Sequence, residues 1–196
     1  MRSPDDSRRL YRDWSDSYDT EFARTQDYRL PDLVADAFHA AGGRGKVLDV
    51  GAGTGLCAQR LAHHGIGPID GVDISPEMLA VAAQKRLYSS LFEADITKSH
   101  SITGGPYQGI VSAGTFTLGH VGPTAIDELI RVAAPGALFV LSVNVLHWRD
   151  ADFAGYFASR LGVITPPDLP EVLIYGPAAD ESHRQDRACL ATFSKR

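Results

Sequence analysis

Residues 47–55 read VLDVGAGTG, so a carboxylate, Asp49, stands just before three alternating glycines, Gly51, Gly53 and Gly55. Glycines at that spacing permit a tight turn and let backbone amides approach a bound group closely. About twenty residues later, Asp73 stands in GVDI, where an acidic side chain can accept both hydroxyls of a ribose. A third carboxylate, Asp95, follows in EADI. It can accept a hydrogen bond from a purine amino group, with Ile74, Met78 and Ile96 covering the faces of the ring. Apolar walls with a few well-placed acceptors are what an adenosine-type ligand requires. The competing structural roles are a helix-capping carboxylate for Asp73 and the start of a turn for Asp95. Ser75 already supplies the cap beside Asp73, which favours the ligand role there.

Two further groups could take part in chemistry. His120, in GTFTLGHVG, follows the fourth strand pattern and could act as a general base toward an oxygen or nitrogen atom. An ordinary loop histidine bonded to backbone is the competing role. Tyr11, Trp14, Tyr18 and Phe22 form an aromatic stripe at helical spacing. The stripe fits either a buried helix face or a lid whose rings meet a cation, with Tyr18 the expected contact.

Glycine spacing alone leaves the ligand open. Counted from Gly51, the third glycine of a dinucleotide fingerprint falls on Leu56; counted from Gly53 it falls on Ala58, which the relaxed form accepts. The Gly-Lys-Ser/Thr ending of a triphosphate loop is missing.

The elements that must hold these residues alternate. Strand patterns cover 46–50, 69–74, 88–94, 108–113 and 137–145. Helical patterns cover 31–41, 56–64, 76–87, 124–133 and 152–161, after an N-terminal helix over 7–25. The end differs, with strands over 172–175 and 188–193 joined by a polar stretch that suits an antiparallel hairpin. Near-continuous apolar strands between helices predict a parallel sheet covered on both faces. The expected fold is α/β, a doubly wound, Rossmann-like mixed sheet of seven strands with a C-terminal antiparallel hairpin. Residues 1–44 form a helical extension and candidate lid, and 45–196 form the core.

Taken in order, VLDVGAGTGL, GVDISPEML and EADI resemble the motifs of the class I S-adenosylmethionine-dependent methyltransferases over residues 46–144. YRDWSDSYD and GIVSAGTFTLGHVGPTAIDEL resemble the methyltransferase-like 27 (Williams–Beuren region) group within that family. The resemblance implies direct in-line methyl transfer from S-adenosylmethionine, leaving S-adenosylhomocysteine, to a small-molecule or undetermined acceptor. It places Gly51 and Gly53 against the methionine part and makes Asp49 the residue that orders the loop. Asp73 falls to the ribose, Ile74 and Met78 to the adenine face, and Asp95 and Ile96 to its edge. Residues 112–115, Ser112 first, would border the methionine and the acceptor. The rivals are a nicotinamide-dependent oxidoreductase and a protein that binds the cofactor as a sensor or scaffold.

Bulk properties narrow the partners. The chain has 196 residues and a formal net charge of -5, with its basic residues scattered. That pattern disfavours nucleic acid, which asks for clustered Lys and Arg. With no apolar stretch long enough to span a bilayer, and with Cys57 and Cys189 expected to be reduced, the predicted setting is cytoplasmic.

Overall fold

The computed structural model describes residues 26–117 and 121–196. Chain order begins with helix α1 (Leu30–Ala40), strand β1 (Val47–Val50), α2 (Leu56–His63), β2 (Ile69–Asp73), α3 (Pro76–Gln84) and β3 (Ser90–Glu93). β4 (Tyr107–Phe116), α4 (Ile126–Val132), β5 (Ala133–Asn144), α5 (Val145–Asp150), α6 (Phe153–Ser159), β6 (Glu171–Leu173) and β7 (Arg187–Ser194) complete it.

The strands form one 7-stranded sheet in the order β3-β2-β1-β4-β5-β7-β6. β1 through β5 pair in parallel, whereas β7 runs antiparallel between β5 and β6. The predicted mixed sheet and terminal hairpin are therefore both present. Strand order reverses between β1 and β4, and the crevice at such a reversal is where ligands enter open α/β sheets.

Apolar side chains pack on both faces. On one, α1 and α2 bring Val34, Phe38, Ala58 and Leu61 against Val47, Val111 and Val140. On the other, α4 and α6 bring Ile126, Leu129, Phe153 and Phe157 against Ile110, Phe139 and Phe193. α1 falls within the segment predicted as an extension, yet Val34, Ala35 and Phe38 are fully buried in the core.

Local chemistry explains where elements end. Ser75 caps α3, its Oγ accepting from the Met78 amide at 3.2 Å, and Pro76 opens the first turn. The sequence predicts this helix to residue 87, but it stops at Gln84 and the chain reverses through Arg86, whose φ is 55°. The reversal brings the Ser89 amide to the Ile69 carbonyl at 2.7 Å and carries Tyr88 back over β2. The predicted helix over 124–133 is a short 3-10 turn, Pro123–Ala125, followed by α4. α5 was not predicted; it forms where Asn144 Oδ1 accepts from the amides of Leu146 and His147. Cys57 and Cys189 are separate buried thiols. Among the described residues, no helix is long and apolar enough to cross a membrane.

Candidate functional site

The site is built where β1, β2 and β4 end. The last carbonyl of β1, on Val50, accepts two hydroxyls, Ser112 Oγ and Thr115 Oγ1, each at 2.9 Å. The Gly51 and Ala52 amides then donate to the Val72 carbonyl at 2.8 and 3.0 Å, tying the start of the loop to β2. Gly51, Gly53 and Gly55 have φ of 67°, 53° and 92°. These are left-handed values that favour glycine. A Cβ on Gly51 would also overlap Thr115 Oγ1, so this position excludes a side chain on two counts.

Asp73, at the end of β2, closes the cradle. One carboxylate oxygen accepts from the Gly53 amide at 2.8 Å and the other from the Ser75 amide at 2.9 Å. Burial raises its pKa, opposed by the amides of Ser75, Gly53 and Ile74. Asp49 lies deeper, at 1% exposure. Its Oδ2 accepts from the Tyr88 hydroxyl at 2.8 Å. Burial pushes its pKa up to about 7, against the Tyr88 hydrogen bond and with the added repulsion of Asp73.

The remaining sequence-predicted residues divide. Ile74 is half-buried beside Asp73, whereas Met78 and Ile96 are buried. Asp95 makes a local turn, with Oδ1 accepting from the Thr97 amide and hydroxyl and Oδ2 3.5 Å from Lys98 Nζ. Burial works against its charge, but Thr97 and Lys98 prevail and hold its pKa low. Ser112 is fully buried and its hydroxyl is spent on Val50, so it supports the loop from behind. Tyr18 and His120 lie outside the described residues. His147 is buried and bonds the Val121 carbonyl at 2.8 Å, while Trp148 stacks on Phe153 and Phe157; both cover the sheet end.

The glycine cradle, its two acids and the sheet reversal coincide with a family match: residues 47–136 fit the model of a methyltransferase domain. This region is a methyltransferase domain of the class I, S-adenosylmethionine-dependent type. The chain is 34% identical over 152 residues to Methyltransferase-like protein 27 of Homo sapiens, covering 72% of this chain and 60% of that protein. The chain thus spans less than two thirds of that relative's length. The fold is similar to that of N-methyltransferase NodS from Bradyrhizobium japonicum, with a TM-score of 0.63, 20% identity and coverage of 92% and 97% of the two chains. A TehB-like methyltransferase from Corynebacterium glutamicum gives 0.62, 20%, 99% and 100%.

Two residues beside the cradle escaped sequence reasoning. Tyr88, predicted only as the first residue of a strand, reaches Asp49 across β2. Tyr28 brings its hydroxyl against Gly114, near the end of β4. The available signals were glycines inside apolar strands, Gly71 and Gly114, which mark places where another group comes close.

Proposed function

We propose that this chain is an enzyme that transfers a methyl group from S-adenosylmethionine to a small-molecule acceptor. The observation that carries the reading is the Asp73 carboxylate bonded to both the glycine loop and the first turn of α3, at the sheet's reversal point. Space beside the loop fits the amino-acid end of such a ligand. A Cβ built on Gly53 meets nothing closer than the Gly51 carbonyl oxygen at 3.9 Å.

In this reading Asp73 accepts the ribose hydroxyls while Ile74 and Met78 support one face of the adenine. Asp95 and Ile96 lie at its edge, with Asp95 using the oxygen that its own turn leaves to Lys98. Gly51 and Gly53 admit the methionine portion, and Asp49 beneath them orders the loop and bears a negative charge below the ammonium. Ser112 and Thr115 hold the loop in place. The bound sulfonium supplies an already activated methyl group, so the chain's task is to orient the acceptor in line and exclude competing geometries. The net charge of -5 supports a small acceptor over a polyphosphate backbone.

Titration calorimetry with S-adenosylhomocysteine, S-adenosylmethionine and a nicotinamide dinucleotide tests the assignment. Binding of both adenosyl ligands without the dinucleotide is expected, and binding of the dinucleotide alone would reject it. A methylated product from a metabolite panel is expected next. Cofactor binding with every candidate acceptor left unmodified would instead favour a sensor.

A further inference from the structure

We infer that Tyr88 is a positioning residue of the cofactor site, its hydroxyl holding Asp49 oriented and ionised beneath the glycine loop. The inference rests on the functional reading above and adds a residue to it.

Three observations converge on Tyr88. Its hydroxyl donates at 2.8 Å to Oδ2 of the buried Asp49. Its ring occupies the space above two glycines: a Cβ on Gly71 would stand 2.8 Å from Tyr88 Cε1, and one on Gly55 3.1 Å from Cε2. The early end of α3 and the reversal at Arg86 deliver it there. The ring therefore props the last glycine of the loop and the middle of β2, while the hydroxyl reaches the carboxylate between them.

Electrostatics gives that hydroxyl a task. Asp49 has lost its hydration, and the neighbouring Asp73 carboxylate also disfavours its charge. On α2, the Cys57 thiol faces Asp49, and both Asp49 and Asp32 help burial to keep that thiol protonated. Beyond Gly55 lies Lys85, whose ammonium is turned to Gln59 Oε1 at 3.2 Å. Against this setting the phenol is a donor aimed at the ionised form of Asp49, and a hydrogen bond to a charged group favours the charged state.

Tyr88→Phe keeps the ring and removes the donor. It is expected to raise the pH midpoint of S-adenosylhomocysteine binding by about one unit, the size of one charge-assisted hydrogen bond. Affinity should therefore fall about fivefold at pH 7 and recover most of that loss by pH 9. Calorimetric titrations of the natural chain and the variant from pH 6 to 9 read this directly, with thermal melting to confirm folding. Asp49→Asn is expected to flatten the pH profile, with or without Y88F, and it supplies the test should Y88F not fold. Parallel profiles for the natural chain and Y88F, or an unchanged profile in D49N, overturn the inference alone. If the natural chain does not bind S-adenosylhomocysteine at any pH, the functional reading falls and this inference with it.

Discussion

Asp49 and Asp73 sit in one cradle, and burial favours a proton on each, yet their surroundings divide the work. Asp73 is held by two backbone amides, so its geometry is part of the loop's own framework. Asp73→Ala should consequently lose both the loop anchor and the proposed ribose acceptor. Its affinity for S-adenosylhomocysteine is expected to drop about tenfold or more, since bonds to charged groups are the costly ones to remove; a drop below about threefold in calorimetry argues against the assignment. Asp49 is different because its cost appears as a dependence on pH. Its folded pKa near 7 stands above its ordinary value of 3.8. The stability it contributes is thus fully present below about pH 4 and is lost as pH rises through 7, a change worth roughly 4 kcal/mol at most. Asp49→Asn leaves an acceptor for Tyr88 and is expected to make the ligand-free chain more stable at pH 8 by a few kcal/mol, with little difference near pH 4. Urea unfolding at the two pH values checks this. The carboxylates were legible in the sequence because acids beside glycines at fixed spacing are local patterns. Tyr88 was not, because its meeting with Asp49 depends on where α3 stops.

At the level of elements, α1 is fixed by one large side chain. Phe38 is fully buried, and its ring fills the space where Gly43 and Gly109 lack a Cβ, so it touches both the turn before β1 and the start of β4. Phe38→Ala is expected to cost about 3–5 kcal/mol through lost burial and the cavity left behind. Thermal or chemical unfolding reads that loss, and a cost under about 1 kcal/mol would mean that α1 is only loosely docked. Periodicity placed α1 and α2 to within a residue and found the start of α3, though not its end, because their apolar faces repeat at helical spacing. It missed α5, whose single capping residue, Asn144, closes a long strand and begins the helix at once. β4 runs beyond the predicted 108–113 to Phe116, its register shifting between Ser112 and Phe116 around Gly114. Such a shift depends on the partner strand, which a window along one strand does not contain.

For the whole molecule, the order of apolar runs foretold the layered sheet and the antiparallel finish, because strands covered on both faces differ in pattern from a hairpin. What no local pattern held was how the rim is fastened. The residues leading into α1 lie along the connection between β6 and β7. The Arg29 amide donates to the Ile174 carbonyl at 2.9 Å, the Gly176 amide to the Asp27 carbonyl at 2.8 Å, and Gln26 Nε2 to Asp180 Oδ2 at 2.8 Å. Tyr28 and Tyr175 form an isolated antiparallel bridge at the same place. Distant stretches of chain are thereby clasped beside the mouth of the cradle. In amide hydrogen exchange, Arg29 and Gly176 should lose protection together, as one cooperative unit, and cleavage of the backbone after Arg184 should speed exchange at Arg29. Independent rates at the two amides would show that the clasp does not hold. If it does, a pull at residue 26 is felt first at the β6–β7 edge of the sheet and only then at the strands that carry the cradle.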